Sequence, residues 1–146
     1  MRVVGLAISK TLEPGIEGSN AGAYLRDLFR RCSGSKVVLV MPSVHRDVRA
    51  MLARYCPECI ATPMIARLSR YKRKADAYEE RAIAIATECQ EMFVFYDMND
   101  WTRGPVLIAD TFSRVHPGYA LVTYIVVDGE VLEVSLDEMK RRSGYK

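Results

Sequence analysis

The loop from Asp97 to Gly104 carries the most varied chemistry in the chain, since it combines two carboxylates, an amide, an indole, a hydroxyl and a guanidinium. It precedes a helical pattern, and the N-terminus of a helix favours anions because its first N–H groups lack intrahelical partners. Arg103 can bind a phosphate through two parallel hydrogen bonds, while Asp97 and Asp100 can accept from ribose hydroxyls or a base edge. The loop therefore predicts a nucleotide site; the alternative is a polar loop whose Asp and Thr residues only cap the helix.

A second candidate for ligand contact is the glycine-rich loop at 15–22, which contains Gly15, Gly18 and Gly22 and also precedes a helical pattern. Glycine lets the backbone approach a ligand closely. The spacing is neither a GxGxxG nor a P-loop pattern. The sequence leaves two interpretations open, a ligand-binding loop and a plain flexible loop.

Hydrophobic periodicity predicts the elements that position these loops. Continuous Val- and Ile-rich runs predict buried strands, and apolar residues spaced three and four apart predict helices. Asp128-Gly129 is typical of a two-residue hairpin turn. The predicted strands are 2–8, 36–41, 59–62, 92–96, 119–127 and 130–135, and the predicted helices are 21–33, 42–55, 75–90, 105–115 and 137–142, with 63–73 a short helix ending in a basic loop.

Strands that alternate with helices predict an α/β fold. We expect one Rossmann-like domain over residues 1–146, with a parallel sheet of about five strands, helices on both faces and a C-terminal antiparallel hairpin strand. Ligands of such sheets bind beyond the carboxyl ends of the strands. The predicted ligand-binding residues at that edge are Ser9, Lys10, Ser43, Asp97, Asp100, Thr102, Arg103 and Gly104.

Two stretches of the second half resemble the SLOG superfamily of Rossmann-like domains. An arginine-containing helical segment, Tyr78 to Ala86, precedes the strand Met92 to Asp97, and Thr102-Arg103-Gly104-Pro105 then opens the next helix. The superfamily includes LOG-type phosphoribohydrolases and the DNA-processing protein A domain, and nucleoside deoxyribosyltransferases are similar in layout. The resemblance implies a nucleotide or nucleoside-phosphate ligand at the carboxyl edge.

The chain departs from these enzymes at two points. LOG-type enzymes have a glycine pair in the turn that is Thr-Arg-Gly-Pro here, and the position of the deoxyribosyltransferase nucleophile falls near Ile108, which cannot attack an anomeric carbon. The resemblance thus implies ligand binding more directly than turnover. If the protein is an enzyme, cleavage or transfer at an N-glycosidic bond is the expected reaction, with Asp97 and Asp100 as the candidate catalytic carboxylates.

A basic run offers an alternative function, non-enzymatic binding of nucleic acid. Residues 1–74 carry a formal charge of +9 and residues 75–146 carry −6, which gives the net +3. The basic side chains can contact phosphates, and an interleaved tyrosine can stack on a base. A solvated loop, or one that reaches a nucleotide phosphate, remains open as well. The residues of this run are Arg67, Arg70, Tyr71, Lys72, Arg73 and Lys74.

Cys56 and Cys59 form a CxxC pair, which occurs in redox and zinc sites. A redox cysteine sits at a helix N-terminus, where the dipole lowers its pKa, but Cys56 falls at a predicted helix C-terminus. Zinc needs about four ligands, and the chain has no second CxxC pair. Without a secretion signal we expect no structural disulfide, except in the cytosol of a hyperthermophile, and we expect Cys32 and Cys89 in the core.

The two histidines suggest no catalytic set in the sequence. His45 follows Ser43 at a predicted helix start, where it can assist phosphate binding, although a surface or capping histidine is the favoured interpretation. His116 lies at a predicted helix C-terminus, where the dipole favours a positive charge. No Ser/His/Asp or Cys/His combination can be assembled from the spacing alone.

Composition limits the remaining classes of protein. The chain has 146 residues, 49% hydrophobic and 27% charged, which is a globular balance. No apolar run approaches the roughly 20 residues needed to span a bilayer, so we expect a cytoplasmic protein without a membrane partner. No pattern requires a metal or another cofactor. The exposed edge of the hairpin strand predicts a possible homodimer.

Overall fold

The computed structural model describes residues 2–70 and 73–145. Short 3-10 turns at Lys10–Leu12, Ile16–Gly18 and Leu68–Arg70 join the longer elements. Within the described ranges, no helix is both long enough and apolar enough to cross a membrane. In chain order the strands and α-helices are β1 (Arg2–Ile8), α1 (Asn20–Cys32), β2 (Val37–Met41), α2 (Arg46–Tyr55), β3 (Ile60–Pro63), α3 (Lys74–Glu88), β4 (Glu91–Asp97), α4 (Gly104–Val115), β5 (Ala120–Val127), β6 (Glu130–Val134) and α5 (Leu136–Ser143).

The strands form one mixed sheet in the order β3-β2-β1-β4-β5-β6. Neighbours among the first five are parallel, and β6 returns antiparallel to β5. The α/β prediction with a C-terminal antiparallel strand is therefore confirmed. Strand order reverses between β1 and β4, and the chain after these strands leaves toward opposite faces of the sheet. A crevice at the carboxyl ends of the strands is expected at such a reversal.

Two apolar cores cover the two faces of the sheet. One core contains the buried side chains of α1 and α2, and the other contains those of α3, α4 and α5. Successive side chains of a strand point to opposite faces, so Leu6 and Ile8 of β1 enter the first core while Ala7 enters the second. Burial on both faces explains why the central strands are continuous apolar runs rather than alternating ones.

Two helix predictions are wrong in detail. Helix α2 begins at Arg46 instead of residue 42, because Pro42 and Ser43 form an irregular segment whose polar groups are bonded elsewhere: the Pro42 carbonyl accepts from Arg81. The apolar spacing of the predicted helix 75–90 places Tyr78 on one core face with Ala82 and Ile85; those two are buried, but Tyr78 is 37% exposed. Tyr78 instead lines a cavity described below.

The expectation of no structural disulfide is also wrong, since Cys56 and Cys59 are joined with their Cα atoms 5.5 Å apart. Cys56 is the C-cap of α2, which agrees with its predicted place at a helix C-terminus. The turn after Cys56 brings Cys59 back within range of a disulfide bond. Cys32 and Cys89 are free and buried, which confirms their core assignment. Burial raises the pKa of Cys89 to about 12, so its thiol is unreactive at neutral pH.

Candidate functional site

A cavity of about 640 Å³ opens at the carboxyl edge of the sheet. The ends of β1 and β2 form one side, and α3, the loop before α4 and the first turns of α4 form the others, with Tyr145 from the C-terminal segment. This volume is within the range of small-molecule and cofactor sites. The position is the one that the reversal of strand order predicts.

Seven of the eight predicted ligand-binding residues line this cavity. They come from three separate loops, and the parallel arrangement of β1, β2 and β4 places those loops side by side. Asp97 is the exception, because the residues that line the cavity do not include it. The seven are Ser9, Lys10, Ser43, Asp100, Thr102, Arg103 and Gly104.

Asp97 organises the loops around the cavity instead. Its Oδ2 accepts a hydrogen bond from the Thr11 hydroxyl at 2.7 Å, and its Oδ1 accepts from the Asn99 amide at 2.9 Å. Its own amide donates to Ser9 Oγ at 2.9 Å. The carboxylate, 8% exposed, therefore joins the loop after β1 to the loop after β4.

We expect Asp97→Ala to destabilise the fold. The substitution removes the carboxylate that accepts hydrogen bonds from two donors. Each hydrogen bond to a charged group contributes about 1.5–3 kcal/mol to the free energy of unfolding. The melting temperature should fall by several degrees in differential scanning calorimetry. Asp97→Asn, which keeps one acceptor oxygen, should lose less. An unchanged melting temperature for the alanine variant would contradict this role.

Asp100 shapes the loop just before α4. Its Oδ1 accepts from both the amide and the hydroxyl of Thr102, at 3.0 and 2.7 Å, and its carbonyl accepts from the Tyr96 hydroxyl at 2.6 Å. These bonds close a turn rather than cap α4. The N-cap is Arg103, and the side chain at that position makes no capping bond within the described part of the chain. The N-terminal turn of α4 at Gly104 thus faces the cavity without a side-chain cap.

Arg81 of α3 is the main site residue that sequence reasoning missed. It is half-buried, and its Nη1 donates to the Pro42 carbonyl at 2.9 Å. Its Nε is fully buried and has no hydrogen-bond partner among the described residues. Burial lowers the pKa of Arg81, opposed by the nearby Tyr78, but an arginine stays positive at neutral pH. The available signal was its place within the Tyr78 to Ala86 motif.

Aromatic and aliphatic side chains form the rest of the cavity wall. Trp101 is 83% exposed on the loop before α4, and Tyr78 and Tyr145 stand on α3 and the C-terminal segment. The Tyr145 hydroxyl is 3.2 Å from Asp110 Oδ2, which anchors the C-terminus to α4. Ile108 also lines the cavity. The site therefore combines cationic groups with flat apolar surfaces.

A serine, a histidine and a glutamate meet at the wall beside Arg81. His45 Nε2 is 3.0 Å from Ser43 Oγ, and His45 Nδ1 is 3.5 Å from Glu13 Oε2. His45 is only 2% exposed, so its interpretation as a surface residue is wrong. It does occupy the N-cap position of α2, but among the described residues its side chain makes no capping hydrogen bond. Burial lowers its pKa, as do the charges of Lys10 and Arg81, while Glu13 opposes them. The loop after β1 folds over the start of α2 and covers the ring, a long-range contact that local sequence does not show.

The described part of the basic run leads into α3, whose N-cap is Arg73 and whose first residue is Lys74. Arg67 lines a second cavity, of about 620 Å³, with Met64 and Ile65. Arg73 pairs with Asp76 at 2.9 Å, and the described basic residues of the run, Arg67, Arg70, Arg73 and Lys74, are exposed. Tyr71 and Lys72 lie outside the described residues.

The glycine-rich loop does not reach the cavity: residues 15–22 are not among those that line it. Gly22 is instead needed for packing. A Cβ atom there would lie 1.8 Å from the carbonyl oxygen of Ile16. The glycine lets α1 begin directly against the preceding turn.

Comparison with protein-family models, curated proteins and solved structures found no match for this chain. The resemblance to the SLOG superfamily therefore stays a prediction. The functional interpretation depends on the geometry and charges of the cavity.

Proposed function

We propose that this protein binds a nucleotide or nucleoside phosphate in the carboxyl-edge cavity, on a sheet of Rossmann-like, SLOG-type layout. The observation that carries the proposal is Arg81. Its guanidinium is half-buried in the cavity wall, and its Nε has no hydrogen-bond partner within residues 2–70 and 73–145. The guanidinium also lies 5.2 Å from the centre of the Tyr78 ring. A desolvated cation without a matching anion is costly, and a phosphate bound in the cavity would supply the opposite charge.

Further cationic groups favour a phosphate over a neutral ligand. Lys10 and Arg103 line the same cavity, and Arg103 Nε is held by the Ser143 carbonyl at 2.8 Å. That bond leaves the terminal nitrogens of Arg103 to interact with a ligand. The N-terminus of α4 adds the positive end of a helix dipole. Glu79 and Asp100 are the acidic residues of the lining, so cations exceed anions there.

The apolar wall favours a ligand that also carries a flat ring. The exposed Trp101 can stack on a base, and Tyr78 and Tyr145 line the same space; base–aromatic stacking contributes about 1–3 kcal/mol. The Asp100 carboxylate lies within reach of the same space and can accept hydrogen bonds from ribose hydroxyls. A phosphate at one end and a base at the other would match both kinds of surface.

We propose binding rather than N-glycosidic cleavage as the function. Such cleavage passes through an oxocarbenium-like state and needs a carboxylate beside the sugar. Of the two candidate carboxylates, Asp97 is held by Thr11 and Asn99 away from the lining, and Oδ1 of Asp100 is held by Thr102. Ile108 stands in the cavity where the resemblance implies a nucleophile.

The single tryptophan provides a direct test of this function. Trp101 is the only tryptophan and lines the cavity, so a nucleotide that stacks there should change its fluorescence. We expect a saturable change with one nucleoside mono-, di- or triphosphate and a rise in melting temperature, because ligand at about 100 times Kd stabilises by about 2.7 kcal/mol. Arg103→Ala should weaken this binding by roughly tenfold or more, since hydrogen bonds to charged groups contribute about 1.5–3 kcal/mol.

The matching nucleoside, which lacks the phosphate, is the control ligand and should bind much more weakly. Equal affinity for nucleoside and nucleotide would contradict the role of Arg81 and Arg103. If only single-stranded DNA binds, in a salt-sensitive way that Arg70→Ala and Arg73→Ala weaken, the function belongs to the basic run instead.

A further inference from the structure

The grouping of Ser43, His45 and Glu13 has the order of a nucleophile, a base and an orienting carboxylate. Ser43 lines the cavity, and its Oγ is 3.0 Å from His45 Nε2. Glu13 Oε2 is 3.5 Å from His45 Nδ1 on the far side of the ring. That oxygen is fully buried and has no hydrogen-bond partner in the described part of the chain. Such spacing is often loose before a substrate binds.

The second oxygen of Glu13 explains how the carboxylate is held. Glu13 Oε1 accepts a hydrogen bond from the Asp47 amide at the start of α2. Glu13 Oε2 is thereby directed toward His45 Nδ1, and a carboxylate there favours the tautomer that carries its proton on Nδ1. In that tautomer Nε2 is an acceptor, so the Ser43 hydroxyl donates to it. This is the arrangement in which a histidine can take the proton of a serine.

We propose that Ser43 is a nucleophile of the carboxyl-edge cavity, activated by His45 as general base and oriented by Glu13, and that it acts on a phosphoryl group of the bound nucleotide. The choice of substrate class rests on the proposed function. Lys10 and Arg81 line the cavity beside Ser43, and Arg81 also binds the Pro42 carbonyl next to it. These cations would meet the charge that develops on phosphoryl oxygens during attack.

The step balances with the residues present and water. Ser43 Oγ forms a bond to phosphorus as its proton moves to His45 Nε2, and the bond from phosphorus to the leaving oxygen breaks. His45 returns the proton to that leaving oxygen. A water molecule then attacks the phosphoserine and passes a proton to His45 as the bond from phosphorus to Ser43 Oγ breaks. His45 returns that proton to Ser43 Oγ, and phosphate leaves. Glu13 stabilises the imidazolium at both stages and stays ionised.

An organophosphate probe tests the nucleophile without knowledge of the natural substrate. With diisopropyl fluorophosphate, the serine oxygen bonds to phosphorus, fluoride leaves and His45 takes the proton. We expect intact-mass and peptide spectra of the whole chain to show one label, on Ser43. Ser69 in the exposed Leu68–Arg70 turn is an internal control and should stay unlabelled. A chain left unlabelled under conditions that fully label a known serine hydrolase would overturn the proposal.

Variants and pH separate catalysis from a structural role. His45→Gln should slow labelling by about 100-fold or more, the usual contribution of a general base, whereas His116→Gln should label at the normal rate. Glu13→Gln should slow it less. For the unaltered chain, whose His45 faces Glu13, Lys10 and Arg81, the rate should fall only below the ordinary histidine pKa of 6.5. If His45→Gln fails to fold, the pH dependence of labelling in the unaltered chain tests the proposal instead. A labelling rate that rises only at alkaline pH would overturn it.

Nucleotide protection connects the nucleophile to the proposed ligand. The nucleotide that changes Trp101 fluorescence should slow labelling of Ser43 and release phosphate when incubated with the protein. Labelling without protection, although a nucleotide binds, would overturn the phosphoryl substrate. Nucleotide binding without any labelling would overturn only the nucleophile. Labelling with no nucleotide binding would instead refute the proposed function.

Discussion

Arg81→Met is expected to abolish most nucleotide binding while leaving the free protein folded. The methionine keeps much of the aliphatic volume on α3 but removes the cation that lines the cavity. Truncation of one partner in a buried, hydrogen-bonded charge pair costs about 2–4 kcal/mol, which is roughly 30-fold to 1000-fold in Kd. The measurement is a Trp101 fluorescence titration with the nucleotide that binds the unaltered chain.

The free protein should behave differently from the complex in this experiment. Among the described residues Arg81 makes one hydrogen bond, to the Pro42 carbonyl, and one cation–π contact, with Tyr78, while burial penalises its charge. Its replacement by an apolar side chain should therefore change the melting temperature of the unliganded chain by only a few degrees. A variant that melts far earlier would indicate a structural arginine instead of a binding one.

Two further variants separate charge from geometry at this position. Arg81→Lys keeps the positive charge but loses the planar fork, so it should recover part of the affinity and no more. Arg49→Met, on the exposed side of α2 and outside the cavity lining, removes the same charge elsewhere and should bind as the unaltered chain does. Equal loss in both methionine variants would show a general charge effect that salt should screen.

The fold was predictable because its strands are buried on both faces. The apolar run predicted the first strand with its observed bounds, Arg2–Ile8. The pair Asp128-Gly129 predicted the hairpin turn, in which both residues take positive φ angles. The start of α2 was not predictable, because its N-terminal residues are fixed by groups distant in sequence. Arg81 holds the Pro42 carbonyl, and Glu13 receives the Asp47 amide.

The site was predictable only where it lies on loops after strands. The rule that ligands bind at the carboxyl ends of strands grouped Ser9, Ser43 and Arg103, and all three line one cavity because parallel strands end at the same edge. It could not indicate Arg81, which comes from a helix face, and it left His45 favoured as a surface or capping residue although it noted a role in phosphate binding. A periodic pattern shows which side chains of a helix face away from the core. It does not show which neighbouring element those side chains contact.

Gly22→Ala is expected to destabilise the protein, although alanine is the better helix former. Alanine would gain about 1 kcal/mol over glycine within α1. Its Cβ would lie 1.8 Å from the Ile16 carbonyl oxygen and 2.8 Å from the Ile16 carbonyl carbon, so backbone must move on one side. Such overpacking costs about 3 kcal/mol or more, so the net loss is about 2 kcal/mol and the melting temperature should fall by about 4–8 °C.

Gly18→Ala is the matched control, because a Cβ there meets no atom within 4 Å and its melting temperature should hardly change. The displacement in Gly22→Ala should also reach the nucleophile. The Ile16 amide donates to the Glu13 carbonyl at 3.1 Å, so a turn pushed away from α1 moves the carboxylate that faces His45. Below its melting transition, the Gly22 variant should react more slowly with diisopropyl fluorophosphate at Ser43. If the destabilised Gly22 variant reacted at the normal rate, the packing of this turn against α1 would not control the position of Glu13.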